Sequence, residues 1–492
     1  RRARRAVAQD RAMTATPDRP SRARRRAAPR ARTPRDGAGA VVAVLLLLLA
    51  VALIALTRSS GRVDQAHGLS RGPLVNHAVA ACPTTGAGRT LLGSAPLPGV
   101  ASPGPPGRVD AGPPGSTGRP VDLRRGGSAR LPQEPTKQPT ATRVSADGAL
   151  AAGLFEFRVD KGSRTRATTP CAAPRADWWF TGAGGTLDHR SRLLLVNVDS
   201  GPAVVDLHVL GPHGPVDTIG TRGLTLAPGT VKEIPISDIA PQSGDLALHV
   251  QANRGRVVAS VRDEFAPHAA GARGHEWLPA ATRTSRVVRL AGLPATAAQR
   301  TLLLANPSDL EAIVEVRVSG RSGTFSPTGL EHVTVHPGAL RSIDLGRALH
   351  GHEPTAVRLS SRVPVTATVR SVSRGGDTSY ATPVAPLSGP AAAPVLRKGH
   401  STVQLSGGTV PARARVVGYD AQGRRVAETQ VDLAPGATRG WTADPKAAYV
   451  VVTSEKGSVY GALTYRGGGI SQAPLESLAI RVRQPVVAPA WR

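Results

Sequence analysis

A segment that recurs along the chain sets the strongest limit on its fold. The sequence LLLVNVDSGPAVVDLHVLG at 193–211 aligns without gaps on LLLANPSDLEAIVEVRVSG at 302–320, and eight of the 19 positions are identical. A fainter copy, VQLSGGTVPARARVVGYDAQG, lies at 403–423. The copies are about 100 residues apart, which is the size of a whole domain and too long for a propeller blade of about 40–50 residues. We therefore expect one domain per copy.

Apolar and polar residues alternate within the copies, as they do in a strand with one buried face. In 205–209, Val and Leu alternate with Asp206 and His208, and in 314–318 valines alternate with Glu315 and Arg317. Such alternation is typical of antiparallel sheets, because the strands of parallel sheets are apolar on both faces. No stretch after residue 57 shows a long helical period.

Each copy also contains a Pro-Gly dipeptide that fits a type II turn, in which proline presets the second position and glycine accepts a positive φ at the third. The dipeptides are Pro228-Gly229, Pro337-Gly338 and Pro435-Gly436. About seven short strands in about 100 residues, separated by such turns, predict an all-β fold of tandem immunoglobulin- or fibronectin-like antiparallel β-sandwiches. We assign these sandwiches to residues 186–280, 281–385 and 386–492.

The region before the repeats, 74–185, is predicted to be β-structure interrupted by a disordered insertion. Between residues 99 and 140, nine Pro and eight Gly occupy 17 of 42 positions, and no apolar period is present. A stretch of this composition buries too little apolar surface to offset the entropy lost on folding. The sequence leaves open whether 74–185 forms a separate domain or completes the first sandwich.

The most apolar stretch of the chain predicts a membrane anchor. Residues 38–56, AGAVVAVLLLLLAVALIAL, are uncharged and long enough for a helix of about 28 Å to cross the hydrocarbon core. The basic tail 1–37, which we expect to be disordered, carries 13 Arg, so the positive-inside rule places it in the cytoplasm. The juxtamembrane linker 57–73 and all later residues are then extracytoplasmic.

A cleaved signal peptide is the alternative, although the run is longer than usual and lacks a good A-x-A site. The only methionine, Met13, is a second candidate start, and it leaves the orientation unchanged. The formal charge is +28, but beyond the tail the basic residues are scattered and are not interleaved with aromatic residues. This pattern argues against a nucleic-acid partner. The oligomeric state stays open.

Cys82 and Cys171 are the only cysteines, and the predicted topology places both outside the membrane, where disulfides persist. We expect them to form a disulfide that closes a loop of about 90 residues and joins the segments on either side of the insertion. A metal site would need further Cys or His ligands beside them, and none is present.

The tryptophans are the candidate ligand contacts. Trp178 and Trp179 are neighbours in DWWFTG, so in a strand their side chains point to opposite faces and only one can enter the same core. Trp277, in HEWLPA, occupies a comparable stretch before the second copy. We favour a structural role for all three residues, and stacking of an exposed indole on a sugar ring is the alternative.

No other residues form a convincing catalytic, cofactor or metal constellation, so we predict no cofactor. His350 and His352, with Glu353, could chelate an ion, but they lie in a predicted loop. TTGAGRT at 84–90 lacks the lysine and the spacing of a P-loop.

The order of a basic tail, one membrane helix, ACP at 81–83 with RTLLGSAPLPG at 89–99, a Pro/Gly insertion and the LLLVN and LAPG repeats resembles a known family. This is an actinobacterial family of membrane-anchored envelope proteins, known only as a domain of unknown function. The resemblance covers nearly the whole extracytoplasmic chain and implies an envelope location. It implies no catalytic residues.

Together these features predict a single-pass envelope protein that is not an enzyme. Its tandem β-sandwiches would form a scaffold or binding stalk for wall polymer or for another envelope protein. The alternative is an accessory enzyme, or enzyme subunit, that acts on envelope glycan with a site near Trp178 or His350.

Overall fold

Strands make up most of the chain that the structure describes. The computed structural model describes residues 72–84, 88–97, 107–131, 140–162, 164–267, 271–346, 349, 355–396 and 399–482. These residues contain antiparallel strands, one short helix, α1 (Ile236–Ile239), and a 3₁₀ turn at Gly148–Leu150. The all-β class predicted from the alternating pattern is therefore confirmed.

The strands are grouped into four modules, which we number along the chain. Module 1 contains β1 (His77–Thr84), β2 (Gly88–Ser94), β3 (Arg108–Gly112), β4 (Arg119–Pro120), β5 (Ser128–Leu131), β6 (Thr140–Asp147), β7 (Leu154–Lys161) and β8 (Arg166–Pro170). One sheet has the order β1-β6-β3-β4 and the other has the order β5-β2-β7-β8.

Module 2 contains β9 (Asp177–Ala183), β10 (His189–Val196), β11 (Ala203–Gly211), β12 (Gly214–Pro215), β13 (Leu224–Leu226), β14 (Val231–Pro235), β15 (Leu246–Arg254), β16 (Val258–Phe265) and β17 (Gly274–Leu278). Its sheets have the orders β9-β15-β11-β12, with β13 also on β11, and β14-β10-β16-β17.

Module 3 contains β18 (Ser285–Leu293), β19 (Gln299–Ala305), β20 (Ala312–Gly320), β21 (Gly323–Phe325), β22 (Val333–Val335), β23 (Leu340–Asp344), β24 (Thr355–Val372) and β25 (Thr378–Ala381). The long β24 serves both sheets, because its first part pairs with β18 and β20 and its last part pairs with β19 and β25.

Module 4 contains β26 (Ala391–Pro394), β27 (His400–Gly407), β28 (Ala412–Tyr419), β29 (Arg425–Leu433), β30 (Thr438–Thr442), β31 (Tyr449–Lys456), β32 (Val459–Arg466) and β33 (Ile470–Pro474). Its sheets have the orders β26-β31-β28-β29 and β30-β27-β32-β33. In all four modules the last strand pairs with the strand just before it, and the first strand pairs with a strand near the end of the module.

Module 1 corrects the expectation for the N-terminal region. Residues 77–170 form a fourth copy of the repeat, whereas 177–183, expected to precede the first repeat, form the first strand of module 2. The predicted disorder over 99–140 is also corrected for residues 107–131, which contain β3, β4 and β5. These strands are short, and β4 is an edge strand, where a proline costs no ladder hydrogen bond.

The predicted strand alternation and turn chemistry agree with the structure. In β11 and β20, the residues predicted to face inward, at 205–209 and 314–318, are buried, and the polar residues between them are partly exposed. The three Pro-Gly turns place Gly229, Gly338 and Gly436 at φ of 71°, 64° and 68°. Both strands and turns follow from local sequence, and each module encloses an apolar core to which its two sheets contribute.

The last strands of the modules bring all four modules together. β8 lies against β17, β17 against β25, β25 against β33, and β33 against β8. The described ends of the chain also meet, since the Val75 N–H donates to the Ile480 carbonyl at 2.9 Å and the Val482 N–H donates to the Pro73 carbonyl at 2.9 Å. The modules thus form a closed ring around an axis of four strands, and not a linear row.

The predicted membrane segment lies outside the described residues, as do the tail 1–37 and most of the linker 57–73. Within the described part of the chain, no helix has the length and apolar character required to span a bilayer.

Candidate functional site: an arginine-lined cleft where the turns of the ring meet

The two cysteines form the predicted disulfide. Cys82 lies in β1, and Cys171 follows β8, so the bond joins the first and last strands of module 1. Both side chains are buried in the core of that module. The expected pairing is confirmed. The bond links the start and the end of module 1, the module that contains the Pro- and Gly-rich stretch 99–140.

The neighbouring tryptophans of β9 point to opposite faces, as the strand rule predicts. Trp178 is 1% exposed in the core of module 2, where its indole N–H lies 3.1 Å from the Val257 carbonyl. Trp179 stacks on His249 and packs against Ala305 and Leu340 of module 3. The second tryptophan is therefore covered by the next module of the ring.

Trp277 lies in β17, the last strand of module 2, and is therefore not equivalent to Trp178 in the first strand. Its counterparts, judged by strand pairing, are Tyr380 in β25 and Gln472 in β33. These three side chains each reach the preceding module. Together with Phe180 and Glu476, Trp178 and Trp277 line a cavity of about 230 Å³, which is smaller than the usual ligand pocket.

Polar contacts join the modules along the axis. The Trp277 indole N–H donates to Asp160 of module 1 at 2.8 Å, and the Tyr380 hydroxyl donates to Asp263 of module 2. The Gln472 amide donates to the backbone carbonyl of Tyr380 at 2.6 Å. Hydrogen bonds to charged or buried acceptors are directional, so these contacts fix the rotation of one module against the next.

Two buried carboxyl groups lie among the last strands. Glu276 accepts hydrogen bonds from the backbone N–H groups of Thr168 and Trp277, both at 2.9 Å. Asp377 accepts from the N–H groups of Arg166 at 3.2 Å and Ile470 at 2.8 Å. Glu276 therefore links β17 to β8. Asp377, in the turn before β25, links β8 to β33.

Burial controls the ionisation of these two groups. It raises the pKa of Asp377 to about 7 and raises the pKa of Glu276 well above its usual range, and the two negative charges oppose each other. Hydrogen bonds from backbone N–H groups lower the pKa of both carboxyl groups, and so partly offset the effect of burial. Removal from water disfavours the charged form of a carboxyl group, so burial favours the protonated form of Glu276.

The turns that precede the last strand of each module meet at one end of this axis. A Cβ on Gly469 would lie 2.3 Å from an oxygen of Asp377 and 2.8 Å from the backbone nitrogen of Arg166. A Cβ on Gly376 would lie 2.8 Å from the carbonyl oxygen of Ala272. The last turns of the four modules are therefore packed closely, and glycine is required where they touch.

An open cleft of about 960 Å³ lies at this end of the ring. Its walls come from the last turns of modules 1, 3 and 4, from the start of β19 with the segment before it, and from the segment after β23. The lining residues are Arg164, Ala295, Thr296, Ala297, Ala298, Arg300, Gly346, Leu349, Ser373, Arg374, Gly375, Arg466, Gly467, Gly468, Gly469 and Ile470. The volume is at the upper end of the range for ligand pockets, about 300–1,000 Å³.

The cleft is positively charged. Arg164, Arg374 and Arg466 are exposed, and each lies at a last turn, whereas Arg300 is only 6% exposed. No Asp or Glu occurs among the described lining residues. An arginine side chain remains charged in proteins, so the cleft concentrates positive charge that no carboxylate in its described lining offsets.

Arg300 is held rigidly in the cleft wall. Its guanidinium donates to the carbonyl oxygens of Leu349 at 3.2 Å, Pro294 at 2.8 Å and Ala295 at 3.1 Å. Its Nε–H is buried and has no hydrogen-bond partner in the described part of the chain. Burial lowers the pKa of Arg300 from its usual value. A buried cation that is bonded only to neutral groups gains stability when an anion binds beside it.

The sequence predictions for sites did not identify this cleft. His350, His352 and Glu353 lie outside the described residues, although Leu349 lines the cleft. A signal was present in the turns before the last strands, since DKGSRTR, AAGARGH, SRGGD and YRGGG each place an arginine next to a glycine or two positions from one. Within the described residues, no group of three or more His, Cys, Asp or Glu side chains could hold a metal ion.

One comparison identifies related sequences. The model of a family described as a family of unknown function, DUF5719, matches residues 131–445, from the end of β5 into module 4. This match covers 315 of the 492 residues. No curated protein matches the chain.

Proposed function

We propose that this chain, which belongs to the DUF5719 family of unknown function, is a non-enzymatic binding scaffold of an actinobacterial cell envelope. Support for this location comes from the sequence. Residues 38–56 have the length and apolar character of a single membrane span, and the arginine-rich tail before them favours the cytoplasm. The disulfide between Cys82 and Cys171 fits an oxidising, extracytoplasmic compartment.

In this proposal the four modules are immunoglobulin-like β-sandwiches that act as one rigid body. The last strands form a closed ring, which favours a compact platform. A linear row of sandwiches would instead form an extended stalk. A site built from three modules keeps its shape only if the modules hold fixed positions, because ligand groups must be placed to within fractions of an ångström. The axial hydrogen bonds from Trp277, Tyr380 and Gln472 supply that restraint.

The arginine-lined cleft is the observation that carries the proposal. Its volume is about 960 Å³, and it lies where separate segments of the ring converge. Its arginines supply many hydrogen-bond donors and no acceptor, which suits binding of an anionic surface. We therefore propose that the ligand is a wall polymer or an acidic face of another envelope protein.

Binding of the full-length chain to envelope material tests the proposal. The purified chain in detergent micelles is sedimented with isolated cell-wall material, and the same chain is cross-linked in intact cells. We expect co-sedimentation that weakens with added salt, or cross-links to an envelope protein. Absence of both signals from a folded chain would remove the basis for a binding scaffold.

Protease treatment of intact cells, after permeabilisation of the wall, tests the topology separately. The segment after residue 57 should be digested from outside, whereas an epitope placed in the tail 1–37 should remain protected by the membrane. Protection of both parts, or digestion of the tail, would contradict the proposed orientation.

A further inference from the structure

We propose that the cleft at the turn end of the ring binds a ligand that carries several phosphate groups. This inference rests on the proposed function only for the identity of the natural ligand, a phosphate-bearing wall polymer. The binding chemistry itself rests on the described residues of the cleft. Three features of the site carry the argument: its charge, its extent and its exposed backbone.

The charge of the cleft favours anions that accept hydrogen bonds at several oxygens. Arg164, Arg374 and Arg466 are exposed, and no ion pair occupies their guanidinium groups within the described chain. Guanidinium groups form two parallel hydrogen bonds to phosphate, which makes arginine well suited to phosphate binding. Arg300 adds a buried positive charge whose Nε–H has no described partner.

The extent of the cleft argues for more than one anionic group. The three exposed arginines come from the last turns of three different modules, and the cleft volume is about 960 Å³. One inorganic phosphate would fill a small part of this space and would leave most of the positive charge uncompensated. A ligand with phosphates spaced along a chain can neutralise several arginines at once, and its second contact then forms at a high effective concentration.

The backbone of the fourth turn is open to such a ligand. Gly467, Gly468 and Gly469 all have positive φ, at 120°, 68° and 130°, and they carry no side chains. Gly468 is the exposed glycine of the three, so phosphate oxygens can approach the main chain there, whereas Gly469 is packed against Asp377 and Arg166. The carbonyl of Gly467 is occupied, because it accepts a hydrogen bond from the Arg166 guanidinium at 2.7 Å.

Titration calorimetry with inorganic tripolyphosphate tests the assignment on the purified full-length chain. The cleft variant combines Arg164→Ala, Arg374→Ala and Arg466→Ala, and all three side chains are exposed, so we expect the chain to fold. The matched control combines Arg222→Ala, Arg254→Ala and Arg286→Ala, which removes the same charge from exposed positions outside the cleft lining.

We expect the cleft variant to bind tripolyphosphate at least about tenfold more weakly, because charge-assisted hydrogen bonds to its phosphate groups are lost. The control should stay within about twofold of the original affinity. Orthophosphate should bind far more weakly than tripolyphosphate. Equal losses in both triple variants would overturn the assignment to the cleft, and equal affinity for polyglutamate of matched charge would overturn the assignment to phosphate.

Wall material separates this inference from the proposed function. Binding to isolated wall should fall after hydrofluoric acid has cleaved the phosphodiesters, and the cleft variant should no longer distinguish treated from untreated wall. Binding to both wall samples with equal strength by the unmodified chain would overturn the phosphate inference and leave the scaffold proposal standing. Tight tripolyphosphate binding with no binding to wall or envelope proteins would overturn the scaffold proposal and leave the phosphate inference standing.

Discussion

The interiors of the modules and the axis between them are built from different chemistry. Inside module 3, leucines and valines from both sheets are buried against one another. On the axis, the last strands and the turn before β25 place Glu276, Asp377, Tyr380 and Gln472 in buried positions, and each makes a polar contact with a neighbouring module. Apolar packing therefore builds each unit and also covers parts of the junctions, and the axis adds directional hydrogen bonds between the units.

This difference separates stability from geometry. Apolar packing is strong but weakly directional, so it tolerates small rotations, whereas a buried hydrogen bond or ion pair constrains both distance and angle. Buried polar groups are costly unless they are paired, so the axial contacts penalise alternative arrangements of the modules. The axis therefore holds the cleft arginines, which belong to different modules, in fixed positions relative to one another.

Replacement of Asp245 by alanine should give the largest effect, by breaking the junction between modules 2 and 3. Asp245 receives hydrogen bonds from Arg370 and Ser342, and the Arg370 side chain is 8% exposed. Burial raises the pKa of Asp245, but the charge and hydrogen bond of Arg370 outweigh burial and hold that pKa below its usual value. Removing one partner of a buried ion pair costs about 3–5 kcal/mol, which urea unfolding should detect.

Hydrogen exchange distinguishes a broken junction from a broken module. Exchange in Asp245→Ala should increase mainly in β17 and β25, where modules 2 and 3 meet, and the module cores should remain protected. The double variant Asp245→Leu with Arg370→Met should regain much of the lost stability, because no buried charge is left alone. Asp199→Ala, which removes a surface pair with Arg256, is the control and should cost less than about 1 kcal/mol.

Truncation of Leu304 should give the next largest effect and the opposite exchange pattern. Leu304 is fully buried in the core of module 3, so Leu304→Ala should cost about 2–5 kcal/mol through lost packing and a residual cavity. Exchange should increase throughout both sheets of module 3. Ile313→Ala in the same module, at a side chain that is 55% exposed, should cost less than about 0.5 kcal/mol. Exchange confined to the junctions would contradict the distinction between core and axis.

The module interiors were accessible from sequence because their signals are local. Alternation over 205–209 and 314–318 and the positive φ at Gly229 depend only on near neighbours, and they appear in the structure as predicted. The fourth copy was missed because its short strands β3, β4 and β5 lie in a stretch rich in proline and glycine. Edge strands accept such residues, so composition alone could not separate this region from disorder.

The axis and the cleft could not be predicted because they depend on contacts between residues far apart in sequence. Trp277 binds Asp160, 117 residues away, and nothing near either residue identifies the other. The comparison of Trp277 with Trp178 was wrong for the same reason, since the two residues lie in the last and first strands of module 2. The arginine and glycine of each last turn were visible in sequence, but their convergence required the closed ring.

The pH dependence of stability gives the most specific test of the axis, because it changes one proton at one side chain. The pKa of Asp377 is raised to about 7, so the folded chain binds a proton that the unfolded chain releases near pH 4. Stability is then fully present below about pH 4 and falls as the pH rises through about 7, by at most about 1.4 kcal/mol per pH unit for one proton. Glu276, which faces Asp377 and whose pKa is also raised, adds to the fall, whereas the positive charge of Arg166 stabilises the ionised form of Asp377.

Urea unfolding of Asp377→Asn between pH 4 and pH 8 should therefore show a shallower decline than the unmodified chain, because asparagine does not titrate. Asp217→Asn, at an exposed position away from the axis, should leave the slope unchanged. An identical slope in the Asp377 variant and the unmodified chain would mean that this carboxyl is ionised in the folded chain throughout. The axis would then hold a buried negative charge at Asp377 near the cleft, and the assignment of a protonated, hydrogen-bonded carboxyl to this position would have to be abandoned.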